Sequence, residues 1–366
     1  MSAEVVTAEL LPLDETEAGA AVAVREDEAT AAVLAALDQA ATAHLDAARP
    51  YRTRTGYARD WQLWCEFLDW LAPRTGHRLP DTAVQRGSLV SFVVWLDEVK
   101  QAAPNTINRR ITGVTVEARA RGVDVPKEAT KAAREALRRI RADETRAQRG
   151  RGKAVSATPE HLRAMATAPA DRPKPPGGGR RRGTQRLPEL ARLRDRALIT
   201  LAFAIAGRSS EVAALDVDGI RLVAEGLEVR VPSVKGRPSR TVPVRYGSNP
   251  DTCPVRCWLA WKEAAGLSPG DPAFLPVDQV GRLGAHRLSP DACRLVITRA
   301  ARRAGLDVHL TGHSARRGLV TTGRKRGKRV EKLRAQGGWS PSSPVFWEYV
   351  DEGERWEDAA TEDIGL

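Results

Sequence analysis

Between residues 30 and 145 apolar side chains recur at spacings of three and four, and no stretch reads as a strand. From Tyr51 to Leu71, the residues Tyr57, Trp61, Trp64, Phe67, Leu68 and Leu71 fall on one face of a helix. An Ala/Leu pattern from Thr30 to Leu45 predicts a helix before it, with Thr30 as cap, and Ser88 reads as the cap of a run through Leu89, Phe92, Val93 and Leu96. Thr106–Arg121 and Lys127–Arg141 give two more, separated by Gly122 and Pro126. A helix with one apolar face hides it only against other elements, so these segments predict an all-helical domain over 30–145, preceded by an acidic flexible tail at 1–28.

The second half mixes two periods. Thr158-Pro159-Glu160 is a helix start, 173–183 a flexible Pro/Gly/Arg loop, and Leu190–Ile205 a strongly apolar helix. Leu227–Val234 and Arg240–Val244 alternate around a turn at 235–239, the signature of a β-hairpin. Helical patterns return at Val255–Ala265, Ser289–Ala304, His313–Arg326 and Val330–Gln336. The expected architecture is mainly α. A basic linker at 146–155 leads to a mixed α/β, mostly helical domain at 156–350 with a small hairpin or sheet. An acidic segment follows at 351–366, where Trp356, Ala360 and Ile364 recur every four residues and predict a short amphipathic helix.

Charge narrows the function. Residues 1–50 hold ten acids and two arginines, a net of −8, so the remaining 316 residues carry +20 of a chain whose total is +12. So basic a body favours a polyanion, most simply nucleic acid. Between Arg138 and Lys153 lie seven bases and two acids, and Arg138, Arg139, Arg141, Arg149, Arg151 and Lys153 are candidate phosphate contacts. The longest apolar run, Ala197–Ala206, has ten residues against the ~20 of a membrane span. No secretory signal is read at the N-terminus, and four cysteines make no disulfide framework, so an intracellular, cytoplasmic setting is expected.

Four short segments carry chemistry. Gly207-Arg208-Ser209-Ser210-Glu211 puts a guanidinium beside a carboxylate at the end of the apolar helix. His313-Ser314-Ala315-Arg316 puts an imidazole and a guanidinium on one helical face. Gly338-Trp339 and Tyr349 follow. Singly, each has an ordinary structural explanation. In this order they resemble the tyrosine recombinase (phage-type integrase) family, over essentially residues 50–350. The resemblance implies that Arg208, Lys235, His313, Arg316, Trp339 and the nucleophile Tyr349 are catalytic, supported by Glu211, with Lys235 on the hairpin beside Arg237 and Arg240 as DNA contacts. Cys253-Pro254-Val255-Arg256 and the Trp258 helix are similar to phage-type members. Thr55, Tyr57, Trp61, Phe67 and Trp70 look like the family's helical core-binding domain. Trp339 to Tyr349 spans ten residues, one more than the family pattern, and Pro341 and Pro344 predict a longer turn before the tyrosine.

The chemistry is consistent with that pattern. A phenol attacking a phosphodiester leaves a covalent 3′-phosphotyrosyl link that keeps the bond energy for rejoining. Two arginines clamp the non-bridging oxygens, the Trp ring N–H and His313 add donors or a proton relay, and a lysine protonates the leaving 5′-oxygen. No metal or cofactor is required. The implied partner is double-stranded DNA, held by a homotetramer on two sites and exchanged through a Holliday junction, with an accessory DNA-bending or directionality factor and a nucleoid location. A type IB topoisomerase-like strand transferase and a catalytically silent DNA-binding regulator are the alternatives. Cys253, Cys257, Cys293 and His286 lack the paired spacing of a zinc site, and the cysteines read as small core residues.

Overall fold

Burial of the aromatic face makes the first helices. The computed structural model describes residues 28–150, 152–169, 187–234, 238–356, 359 and 361–362. These fall into two units that divide between Gly152 and Lys153. In the first, α1 (Glu28–Ala48) precedes α2 (Tyr51–Thr75), which buries Trp61, Trp64, Phe67 and Leu68 and ends at Gly76 in the left-handed region. Thr30 lies inside α1 rather than capping it. α3 (Arg86–Glu98) packs Phe92 edge-on against Trp64, with ring centroids 5.3 Å apart. Its cap is Gln85, and Ser88 sits one turn in, closing a reciprocal capping box. α4 (Pro104–Ala120), α5 (Lys127–Ala142) and the single turn α6 (Glu144–Ala147) complete the unit and its continuous core.

The stretch expected to be an open linker is partly docked. Asp97 of α3 is buried and accepts from Arg149 at 2.6 Å, while Arg146 approaches it at 3.2 Å. The charge of Arg149 is spent on that carboxylate, which corrects its expected role as a phosphate contact. Arg138, Arg139 and Arg141 are exposed along α5, Arg138 pairing with Glu135 at 2.7 Å. Arg151 and the 173–183 loop lie outside the described residues.

The second unit opens at α7 (Pro159–Thr167), whose cap Thr158 accepts from the His161 amide. α8 (Glu189–Ala204) runs through the core, followed by α9 (Ser209–Ala213) and a 3-10 turn, Val217–Gly219. Three antiparallel strands follow in the order β1 (Ile220–Val223), β2 (Gly226–Val231), β3 (Arg240–Arg245), with Val229 opposite Val242. The expected hairpin is thus two strands of a three-stranded sheet. β1 escapes detection because only Ile220 of its four residues is fully buried.

α10 (Pro254–Ala264), α11 (Pro290–Arg303), α12 (Gly312–Lys325), α13 (Val330–Gly337) and α14 (Pro344–Glu354) surround the sheet and α8. Gly318 lets α12 press on the segment entering α7: a Cβ there would lie 2.0 Å from the Ala157 carbonyl oxygen. Cys253, Cys257 and Cys293 are buried in this core, and burial pushes the Cys293 thiol up to about 12. Among the described residues no helix is long and apolar enough to cross a membrane.

Candidate active site

The site begins where α8 stops. Ala206 adopts φ of 46°, a left-handed conformation that costs a residue with a Cβ about 1–2 kcal/mol. That turn aims the Ala206 carbonyl at Arg316, whose Nη1 donates to it. Gly207 follows, and Arg208 then caps α9, so its guanidinium and the Glu211 carboxylate one turn later face each other.

Glu211, 3% exposed, is shared by three arginines. Arg208 gives it an Nη1 bond of 2.6 Å and a backbone N–H bond of 2.9 Å. Arg240 gives Nη2 and Nη1 bonds of 3.1 and 3.3 Å, and Arg316 Nη1 lies 4.0 Å away. Burial opposes the charge of Glu211, but the Arg240 bond, the Arg208 amide and both arginine charges outweigh it and hold the carboxyl below its ordinary value.

Arg240, expected from the hairpin as a DNA contact, turns inward in this structure. Besides Glu211 it donates from Nε to the Gln336 carbonyl at 3.0 Å and from Nη2 to the Ile205 carbonyl at 3.4 Å. Gln336 in turn donates to the carbonyls of Ala204, at 2.8 Å, and Pro243, at 2.9 Å. These two side chains lace β3, α13 and the end of α8 together. Sequence reasoning missed Gln336 altogether. Its signal is slight: a polar residue just before the Gly337-Gly338 break.

The lacing has a measurable consequence. Arg240→Ala is expected to destabilise the second unit by about 2–3 kcal/mol, below the ~3–5 kcal/mol of a wholly broken buried pair because Arg208 remains. Urea unfolding checks this. The Glu211 contribution has a defined pH sense. Its folded pKa is depressed, so its stabilisation is full above the ordinary carboxylate range and is lost as pH falls through the lowered value. The Arg240→Ala penalty should shrink in the same acidic window.

On α12, His313 and Arg316 project one turn apart, both near its N-terminus. Arg316 is 3% exposed, and its guanidinium carbon lies 3.6 Å from the centroid of the Trp339 ring. Trp339 meets Tyr349 edge-on at 6.2 Å and Phe346 at 5.2 Å. A guanidinium, an indole and a phenol are thus layered over a small apolar cluster. Nη2 of Arg316 is buried and has no hydrogen-bond partner among the described residues. Burial first, then the charge of Arg208, pulls the Arg316 guanidinium down to about 9, which leaves it charged at neutral pH. His313 is lowered by desolvation and then by Arg316 and Arg208, which favours the neutral imidazole.

Tyr349, 8% exposed, sits on α14, with Pro344 as the first residue of that helix. Desolvation raises its phenol against the lowering effect of Arg317 and Arg316, so the hydroxyl is protonated at neutral pH. α14 is fastened to α12 and to the segment that enters α7. Arg317 donates to Glu352 at 2.5 Å, Ser156 to the same carboxylate at 2.8 Å, and Arg324 Nε to Glu354 at 2.6 Å. Glu352 and Glu354 fall in the acidic segment expected at 351–366. They belong to the tyrosine helix and face inward because α12 presents arginines to them. Lys153 lies in this unit too, exposed and 2.9 Å from Glu348. Trp356 is 83% exposed, whereas Ala360 and Ile364 of the expected stripe lie outside the described residues. So do Lys235 and Arg237. The structure therefore brings together Arg208, Glu211, Arg316, Trp339 and Tyr349, with His313 adjacent on α12.

The chain thus has a helical unit, followed by helices around a small antiparallel sheet that carry clustered guanidiniums close to a helix-borne phenol. Residues 184–354 match the phage integrase family. The chain is 27% identical over 288 residues to an integrase/recombinase xerD homolog of Selenomonas ruminantium, covering 77% of this chain and 76% of the relative. It is 33% identical over 139 residues to tyrosine recombinase XerC of Alcanivorax borkumensis, 38% of this chain and 41% of that one. The fold is shared with a lambda integrase dimer bound to a COC' core site, at a TM-score of 0.53 and 16% identity over 93% of this chain and 85% of that chain. Over residues 184–354 the chain is thus similar to the phage integrase family, and over 77% of its length it is similar to a curated integrase/recombinase.

Proposed function

We propose that this protein is a site-specific DNA recombinase that cleaves and rejoins strands through a covalent 3′-phosphotyrosyl intermediate. The observation that carries the reading is the buried Arg316 guanidinium with an unpartnered Nη2, linked to Tyr349 through the single ring of Trp339. A buried donor with no acceptor is costly, and a phosphodiester oxygen is an acceptor of the right charge. Arg208 and Arg316 clamp the scissile phosphate, held in place by Glu211. Trp339 keeps the Arg316 plane fixed, which aligns its donors with the developing oxyanion. His313, as a neutral imidazole, passes or accepts a proton at the phosphate. The Tyr349 Oη–P bond forms as the P–O5′ bond breaks, and the departing 5′-oxygen takes a proton from Lys235.

The helical unit is the core-binding domain in this reading, and Arg138, Arg139 and Arg141 track phosphates from α5. The supporting likeness includes a lambda integrase tetramer bound to a Holliday junction, so a homotetramer exchanging strands between two sites is the expected assembly. The location is the cytoplasmic nucleoid.

The test is trapping on a nicked suicide duplex built from the element's own flanking DNA. The wild type should leave a protein–DNA adduct, and a product bearing no phosphotyrosine would refute the reading. Lys235 has its own check. Lys235→Ala should slow cleavage far more than it weakens binding, and a bridging 5′-sulfur, a much better leaving group, should restore most of the rate. An undiminished defect on the sulfur substrate would remove Lys235 from the role of acid.

A further inference from the structure

α2 and α4 meet at a buried carboxylate. Asp60 of α2 is 2% exposed and accepts two bonds from Arg109 of α4, Nη1 to Oδ2 at 2.6 Å and Nη2 to Oδ1 at 2.7 Å. Gly113, one turn further along α4, makes the slot: a Cβ there would lie 2.2 Å from Asp60 Oδ2. The Arg109 side chain is nevertheless 51% exposed. The end-on fork to Asp60 uses one N–H of each terminal nitrogen. It leaves the other edge, Nε–H with the second Nη2–H, without a partner among the described residues. Exposed Asn105 lies one turn before Arg109 on α4, Gly56 of α2 faces the Arg109 Nη1, and α2 also carries exposed Arg52, Arg54 and Arg59.

Two uses of such an arginine differ physically. A phosphate contact depends on net charge, and here the charge is already balanced by a carboxylate that cannot move away. A base contact depends on a fixed, planar pair of donors, and that is what remains. Arg54 and Arg59 form no ion pair with an acid among the described residues and suit the phosphate role. A helix fits the major groove, where guanine O6 and N7 present a matching pair of acceptors.

We propose that Arg109 reads a guanine edge in the recombination site, with Asp60 as its positioning residue. This rests on the reading of the first unit as a DNA-gripping domain, and it adds which residue discriminates sequence there.

The test selects duplexes from a randomised pool with the full-length protein, sequences the bound fraction, and measures binding against salt. Arg109→Lys keeps the charge but loses the fork. It should lower the preference for one G·C pair by roughly ten- to a hundredfold, the range of one bidentate contact, with a much smaller change on random duplex. Asp60→Asn should blur the same pair. It should also steepen the slope of log K against log salt by about 0.9, because the released guanidinium can now neutralise a phosphate. A residue needed only for packing would leave that slope alone, and the exposed Arg109→Lys change keeps the test decisive if Asp60→Asn unfolds. An unchanged consensus in Arg109→Lys, or a wild-type selection with no preferred pair, overturns the inference. So does a salt slope that falls by about 0.9 in Arg109→Ala with every preference intact, which would make Arg109 a phosphate contact. Wild-type adduct formation, scored separately on the suicide duplex, tells failure of this inference from failure of the recombinase reading.

Discussion

Tyr349→Phe should abolish covalent adduct formation and leave DNA binding intact. The lost atom is one hydroxyl oxygen on α14, while the arginines proposed to meet the phosphate, Arg208 and Arg316, lie at the cap of α9 and on α12. The phenyl ring still fills the edge-on contact with Trp339, so the cluster below it keeps its shape. Loss of a nucleophile costs about five to six orders of magnitude where it has been separated from binding. Denaturing gels on the nicked duplex check the adduct, and mobility shifts check the binding. An adduct formed by the variant would move the nucleophile elsewhere. Tyr51, Tyr57 and Tyr246 are the other tyrosines, and none follows the His-x-x-Arg and Gly-Trp segments.

Arg316→Lys should slow single-turnover cleavage by about 10²–10³-fold, the loss seen when one oxyanion donor is removed. Positive charge is retained, so distant electrostatics change little. Three things are lost together: the planar stack on Trp339, the bond to the Ala206 carbonyl and the partnerless Nη2 donor. An ammonium cannot reproduce a planar fork, and a lysine buried in this place gives up its proton far more readily than an arginine. Substrate affinity should fall much less than rate, because the basic surface elsewhere supplies most of the binding. A variant that cleaves at the wild-type rate would show that charge alone, not its geometry, is what the site uses.

Most of the helices were legible because burial imposes a period. The face from Tyr57 to Leu71, the helix start at Thr158 and the alternation on either side of residues 235–239 are local signals, and local signals survive in sequence. The order Arg208, His313, Arg316, Trp339, Tyr349 was legible as a family pattern. What stayed hidden was relational. Arg240 looked like one more base on a hairpin, and only its approach to Glu211, twenty-nine positions away, shows it facing inward. Arg149 looked like part of a charged linker until Asp97 met it from fifty-two positions away. Glu352 and Glu354 looked like a tail because nothing in their own neighbourhood declares that α12 carries Arg317 and Arg324 to meet them. A charge in sequence has a sign but no direction.

The grouping of three guanidiniums on one carboxylate leaves the free enzyme under self-repulsion. One negative charge cannot balance Arg208, Arg240 and Arg316, and the surplus sits where little water reaches it. Residual positive charge of this kind weakens the compact state, and the backbone adds to it at Ala206, held in a conformation its side chain disfavours. The resting protein is therefore less stable than its core alone would allow. In the proposed reading an arriving phosphodiester would remove that tension as it binds, so part of the energy that holds DNA would come from relief within the enzyme rather than from any feature of the DNA sequence. Variants selected for stability alone should drift toward neutralising Arg208 or Arg316 rather than the lacing Arg240, and in doing so they would give up the stress that readies the corner for its substrate.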